Sequence, residues 1–185
     1  GYLPYLQTPP GGQPLEYPVL TGVFMQIAAS ITTGIQNLFA DLDASRTFFD
    51  VNVALLFIPV AITVVATALV VRRRPWDALM VAVSPCLILA ATINWDMLPL
   101  AFAGISFVLW ARKREFGAGL FLGLAIAAKF YPVLFLIGFA VLALRTAQWK
   151  AFGRLVVGTA IAWLAVNVPF MVANFDGWGY FYQFS

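Results

Sequence analysis

Six long apolar runs, separated by proline or by short clusters of charge, occupy the chain from residue 50 onward. A helix needs about 20 apolar residues to cross the roughly 30 Å hydrocarbon core of a bilayer. The first and last runs reach that length, whereas the four between them require tilting, a break or packing around a cavity. The pattern therefore predicts about six transmembrane helices, at residues 50–72, 77–93, 97–111, 116–129, 132–146 and 151–173.

A further apolar segment, residues 18–40, carries polar side chains at the spacing of a single helical face. These residues are Gln26, Ser30, Thr33 and Asn37, which recur at i, i+4, i+7 and i+11. A helix with one polar stripe suits the membrane interface, and we expect a juxtamembrane helix at the outer surface. The alternative is another span whose polar stripe faces the other helices.

The composition excludes a soluble domain, because 62% of the 185 residues are hydrophobic and only 10% are charged. A soluble domain is ordinarily about one-quarter charged. The chain has no His and a single cysteine, Cys86, so it lacks the commonest general base and cannot form an internal disulfide. We expect neither a metal site nor a cofactor. The cations lie between apolar runs, which argues against a nucleic-acid partner.

Three cationic clusters follow the first, third and fifth predicted spans, so all three lie on one side of the membrane. They contain nine of the eleven Lys and Arg residues: Arg72, Arg73, Arg74, Arg112, Lys113, Arg114, Arg145, Lys150 and Arg154. The positive-inside rule makes that side cytoplasmic. Both chain ends and six of the eight acidic residues then lie outside the cytoplasm.

These inferences describe an all-α integral membrane protein of the plasma membrane. Residues 1–49 form an extracytoplasmic loop with the amphipathic juxtamembrane helix, residues 50–173 form the six-helix transmembrane bundle, and residues 174–185 form an extracytoplasmic aromatic loop. Such aromatic runs occur in interfacial belts and in loops that stack on sugars, and both remain open. Because the chain starts at Gly1 without an initiator Met, we interpret it as an internal piece of a longer protein.

Lys129 is a candidate functional residue because it ends an apolar run, away from every cytoplasmic cluster. It precedes Tyr131 and Pro132, and Pro132 cannot donate a hydrogen bond to the carbonyl of Ala128. An unpaired ammonium near hydrocarbon is costly, so such a residue usually faces a cavity or a partner. Phosphate binding at an outer pocket is one interpretation, and snorkelling to the interface is the other.

Two of the acidic residues in the predicted outer segments, Glu16 and Asp96, are candidate functional residues. Glu16 and Tyr17 directly precede Pro18, where a carboxylate either complements the dipole of the juxtamembrane helix or lies at a cavity mouth. Asp96 fills the turn between the second and third spans. It is interpreted either as a solvated turn residue or N-cap, or as an acid facing an outer cavity. We expect Glu16 and Lys129 to line one outer-facing cavity.

Five short motifs occur in a fixed order from about Leu15 to the C-terminus. They are Glu16-Tyr17-Pro18-Val19-Leu20-Thr21-Gly22, Arg46 with Phe48-Phe49-Asp50, Arg74-Pro75-Trp76-Asp77, Ile93-Asn94-Trp95-Asp96 and Ala127-Ala128-Lys129-Phe130-Tyr131-Pro132. As an ordered set they resemble the actinobacterial members of glycosyltransferase family 87, which are polyprenyl-phosphate-mannose-dependent mannosyltransferases of the GT-C fold class.

The resemblance implies a partial GT-C transmembrane bundle that transfers a hexose, expected to be mannose, outside the cytoplasm. The donor would be a polyprenyl-phosphate sugar, the acceptor a cell-envelope glycan or glycolipid, and the surroundings membrane lipids. The expected substrate-binding residues are Glu16, Tyr17, Asp96, Lys129 and Tyr131. Where some relatives carry Lys beside the proline, this chain has Tyr17. The resemblance places the catalytic Asp upstream of Gly1.

Two other classes of protein fit the same pattern of spans. A transporter or lipid flippase would also place Lys129 and Asp96 in a cavity, but such proteins often contain internal repeats, which we do not find in this sequence. A non-catalytic membrane subunit would have the same spans, with its outer acids solvated.

Cysteine labelling in intact cells tests the predicted orientation. In a Cys86→Ser background, we expect a membrane-impermeant maleimide to label cysteines at positions 96 and 176, but position 113 only after permeabilisation. Labelling of position 113 in intact cells would overturn the orientation. Positions 16 and 41 test the segment 18–40: a surface helix leaves both labelled from outside, whereas a span places position 16 inside.

Overall fold

The computed structural model describes residues 4–7, 12 and 14–184, and within these ranges the chain forms helices and no strand. The helices are α1 Val19–Leu38, α2 Ala44–Val70, α3 Asp77–Ala82, α4 Pro85–Ala90, α5 Met97–Ala111, α6 Glu115–Ala128, a 3-10 turn Tyr131–Leu134, α7 Phe135–Thr146, α8 Trp149–Ala173 and α9 Phe175–Phe184. The other residues of the predicted outer segments, 1–3, 8–11, 13 and 185, lie outside the described residues. The predicted all-α fold is confirmed for the described part.

Three described helices, α1, α2 and α8, are long and apolar enough to cross a membrane, judged by length and composition. α5, α6 and the 3-10 turn with α7 are apolar but shorter. The predicted span 77–93 is divided into α3 and α4, because Pro85 begins α4 and disfavours a helical residue before it. The number of spans, predicted as six, therefore stays a prediction.

The aromatic C-terminal segment is helical, although the sequence predicts a loop there. Asn174 accepts a hydrogen bond from the N–H of Gly177 (3.1 Å), as an N-cap does, and α9 follows. The indole of Trp178 then donates to the side chain of Asn167 in α8 (2.8 Å). The loop prediction is wrong. The two glycines in this aromatic run are typical of a loop, but the segment forms a helix that packs on α8.

Helices α6 and α8 pack backbone against backbone at the centre of the molecule. Gly119 and Gly123 of α6 face the carbonyl oxygens of Leu155 and Thr159, and Gly158 of α8 faces α6 in return. A Cβ atom at any of these glycines would collide with the opposite backbone. Small residues allow this close approach in membrane helices, where dispersion rather than the hydrophobic effect drives association.

One end of the bundle is defined by polar contacts of the turn before α5. The indole of Trp95 donates to the side chain of Asn52 in α2 (2.9 Å), and the ammonium of Lys129, just after α6, pairs with Asp96. We call this the Asp96 end. This end contains the beginnings of α2 and α5 and the C-terminal end of α6.

The opposite end collects the cationic clusters, and we call it the arginine end. Arg154 of α8 pairs with Glu115 of α6 (3.7 Å). The last turns of α2 and α5 meet around Arg72 and Arg112. The three clusters predicted to share one membrane face thus follow helices that converge at one end of the bundle.

Helix α1 contacts the Asp96 end of the bundle at both of its own ends. The hydroxyl of Thr21 donates to the carbonyl of Ala128, in the last turn of α6 (2.6 Å). Toward its other end, Ile35 lies across a small groove from Val51 and Ala54, in the first half of α2. These contacts support the prediction of a surface helix, although length and composition also permit a span.

The close packing of α6 on α8 predicts that Gly119→Leu is destabilising. The new side chain would meet the backbone at Leu155, and overpacking of this kind costs about 1–3 kcal/mol. Gly138→Leu in α7 is the matched control, since no atom lies within 4 Å of a Cβ built there. Thermal unfolding of the purified proteins is the measurement, and equal melting temperatures for the two variants would contradict the predicted packing.

Candidate functional site

An ion pair between Lys129 and Asp96 lies at the Asp96 end of the bundle. The side chains are 35% and 30% exposed, respectively, so the pair is accessible but only partly hydrated. Lys129 thus has a carboxylate partner, as a cation beside an apolar run requires. The ammonium of Lys129 has further N–H donors besides the one that faces Asp96, and its side chain is partly exposed.

The break in the helix that exposes Lys129 follows from Pro132. A proline removes the hydrogen bond that would reach the carbonyl of Ala128, and α6 ends there. Lys129 itself has extended backbone, with φ −157° and ψ 145°. The freed carbonyl of Ala128 accepts the hydroxyl of Thr21 from α1 instead. A buried backbone acceptor is therefore satisfied by another helix, which fixes the position of Lys129 relative to α1.

Asp96 lies directly before α5 but makes no capping hydrogen bond. Its backbone N–H donates a hydrogen bond to the side-chain oxygen of Asn94 (3.0 Å), and this bond lies within the turn. The carboxylate points instead to Lys129, the residue directly after the neighbouring helix α6. Asp96 therefore occupies the N-cap position of α5 without capping the helix through its side chain, and its carboxylate pairs with Lys129 instead.

Tyr17 lies beside the same turn. Its ring meets Trp95 edge to face, with ring centroids 5.2 Å apart. Glu16 is half-buried, and among the described residues it forms no hydrogen bond or ion pair. Tyr131 interacts electrostatically with Asp96. The structure thus gathers Tyr17, Tyr131 and the ion pair, whereas a cavity shared by Glu16 and the ammonium stays a prediction.

Tyr5 is a structural residue that no sequence pattern singles out. It is only 2% exposed, and its hydroxyl lies 2.8 Å from the carbonyl oxygens of both Tyr17 and Pro18. Its own carbonyl accepts the side chain of Asn174 (2.9 Å). A Cβ on Gly22 would strike its ring, so that glycine, which belongs to the first motif, was the one available signal.

Helix α9 adds an aromatic surface beside the ion pair. The ring of Tyr182 meets Phe130, the residue after Lys129, edge to face, with ring centroids 6.2 Å apart. Trp178 packs on Tyr182 in turn, at 4.9 Å. Burial raises the pKa of the Tyr182 phenol, with a smaller opposing effect from its hydrogen bond to Trp163, so the ring is neutral.

The arrangement combines a partly exposed cation, a carboxylate and aromatic faces at one end of an apolar bundle. Such a set suits an anionic ligand that also presents a ring or a chain. Within the described residues, no group of three or more His, Cys, Asp or Glu side chains is placed to hold a metal ion.

Comparison with known proteins identifies a family. A family model described as glycosyltransferase family 87 matches residues 17–185. The matched range contains Tyr17, Asp96, Lys129 and Tyr131 but begins one residue after Glu16. No curated protein and no solved structure matches the chain.

A double-mutant cycle tests the ion pair. Lys129→Met and Asp96→Asn should each destabilise the protein, and their effects should be non-additive by about 0.5–3 kcal/mol, as for residues in contact. The measurement is the free energy of unfolding of the two single variants and the double variant.

The matched control for this cycle pairs Lys129→Met with Glu16→Gln. Because Glu16 makes no ion pair with Lys129, these effects should add within about 0.5 kcal/mol. Strong coupling to Glu16 together with additivity at Asp96 would reverse the assignment of the partner.

Proposed function

The chain belongs to glycosyltransferase family 87, and we propose that it transfers a hexose, mannose, from a polyprenyl-phosphate donor at the outer face of the plasma membrane. The acceptor in this proposal is a hydroxyl of a cell-envelope glycan or glycolipid. Membership of the family implies a glycosyltransferase, which needs a sugar donor and an acceptor. The long apolar helices indicate a membrane protein.

The observation that carries the proposal is the position of the Lys129–Asp96 pair. It lies at the end of the bundle opposite the arginine end. If the arginine end is cytoplasmic, the pair lies at the outer membrane boundary. A lipid-linked sugar phosphate has its charge at that depth, where its chain remains in the membrane and its sugar reaches water.

Lys129 would bind the donor phosphate in this mechanism. The acceptor oxygen attacks the anomeric carbon as the bond from that carbon to the phosphate oxygen breaks, and the lipid phosphate leaves with the electron pair. The departing phosphate gains negative charge, which a fixed ammonium stabilises more strongly than it stabilises the bound donor. The acceptor proton passes to a carboxylate base.

Asp96 would hold the ammonium in place before the donor arrives. A lone cation at an apolar boundary is costly, and the carboxylate lowers that cost while leaving other N–H donors of Lys129 free to meet a phosphate. Pre-positioning of this kind reduces the side-chain entropy lost when the donor binds.

The neighbouring aromatic residues would form the walls of the sugar site. Phe130 and Tyr182 are 50% and 37% exposed, so part of each ring is open beside the ion pair. Tyr17 contacts Trp95, the residue directly before Asp96. In the same proposal α1 lies on the outer surface, which the contacts of Thr21 and Ile35 with the Asp96 end support.

Lys129→Met tests this function in the full-length protein. The variant keeps much of the apolar stem and removes the charge, so it should lose transfer from polyprenyl-phosphate mannose by at least about tenfold, since a charge-assisted contact is worth about 1.5–3 kcal/mol. The measurement is the incorporation of labelled mannose by membranes that contain equal amounts of each variant.

Two further variants make the result interpretable. Lys150→Met removes an exposed lysine at the arginine end and should leave transfer unchanged. Lys129→Arg keeps the charge and should retain more transfer than Lys129→Met. Unchanged turnover and donor affinity in folded Lys129→Met would reject the role of Lys129, and wild-type protein that consumes no polyprenyl-phosphate hexose would reject the function.

A further inference from the structure

An apolar groove runs between α2 and α5 toward the arginine end. Val65 and Leu69 of α2 and Ile105 and Leu109 of α5 line it, and its volume is about 380 Å³. Its α2 wall begins at Ala61, and from there to Leu69 the helix rises about 12 Å. One leaflet of a bilayer is roughly 15 Å deep in hydrocarbon. The groove therefore has about the length of an acyl chain within one leaflet.

Guanidinium groups surround the mouth of this groove. Arg72 and Arg73, at the end of α2, and Arg112, at the end of α5, line an adjoining cavity of about 420 Å³. The two cavities share Leu69 and Arg112, so the apolar groove continues into the cationic one. All three arginines are exposed, and among the described residues none of them forms an ion pair.

The acids near this end are already engaged with other cations. Asp77 pairs with Arg74 (3.1 Å), and Glu115 pairs with Arg154 (3.7 Å). The cations at the groove mouth thus lie beside apolar surface without a protein counter-ion. A phosphate group would supply that charge, because the planar guanidinium binds phosphate oxygens through two parallel hydrogen bonds.

We propose that this groove is a binding site for an anionic phospholipid, with an acyl chain between α2 and α5 and the phosphate on Arg72, Arg73 and Arg112. A basic pocket between membrane helices that adjoins apolar surface has the chemistry of such a site. The site lies at the opposite end from Lys129 and is independent of the transferase proposal. A lipid bound there stabilises the packing of α2 on α5.

Lipid titration of the full-length protein tests the site. Purified protein in neutral detergent is titrated with dioleoyl phosphatidylglycerol, and bound lipid is counted by native mass spectrometry. We expect saturable binding that Arg72→Gln with Arg112→Gln weakens at least about tenfold, the loss expected when charge-assisted contacts are removed. Dioleoyl phosphatidylcholine should bind at least about tenfold more weakly than the anionic lipid.

Two controls distinguish a built site from the general charge of the arginine end. Arg145→Gln with Lys150→Gln removes the same charge outside the groove and should retain the lipid. Val65→Trp leaves every cation in place but fills the groove, and it should weaken lipid binding. Glycerol phosphate, which lacks acyl chains, should not compete. Equal losses in both charge variants, unaltered binding in Val65→Trp, or competition by glycerol phosphate would each overturn the proposal.

Discussion

The backbone contact between α6 and α8 is the constraint on which the rest of the molecule depends. Because Gly119 and Gly123 leave room for the carbonyls of α8, α6 packs against α8 at one position along its axis and in one rotation. The last turn of α6 is consequently a fixed point. There, the carbonyl of Ala128 accepts a hydrogen bond from Thr21 of α1. The next residue, Lys129, forms an ion pair with Asp96, which lies directly before α5. Two helices, α1 and α5, are thereby positioned by the end of α6.

The individual site residues were predictable because they break a strong pattern. Lys129 interrupts an apolar context that ordinarily excludes charge, and Asp96 lies in the short turn between two apolar runs. The all-α fold and the grouping of the cationic clusters follow from hydropathy and charge in the same way. That Lys129 pairs with Asp96 did not follow, because it depends on α5 and α6 being neighbours in space, which no periodicity encodes.

Other features were hidden for physical reasons. Tyr5 reaches Asn174 across almost the whole chain, and contacts between residues so distant in sequence leave no local pattern. α9 was missed because its glycines lower helix propensity, whereas packing of Trp178 on α8 outweighs that preference. Helix α1 illustrates a third limit. Its polar stripe suits both a surface helix and a span, and only its contacts with α2 and α6 favour one of them.

Two indole–asparagine hydrogen bonds, Trp95 with Asn52 and Trp178 with Asn167, connect the turn before α5 and helix α9 to the long helices α2 and α8. Each asparagine is buried, and its amide also donates to the carbonyl four residues earlier in its helix. Sliding either helix by one turn would leave these polar groups unpaired in an apolar setting, which is costly. The turn before α5 therefore stays in register with α2, and α9 with α8, so hydrophobic mismatch in a bilayer of different thickness is met by tilting of the helices or adjustment of the lipid and not by sliding of α2 or α8.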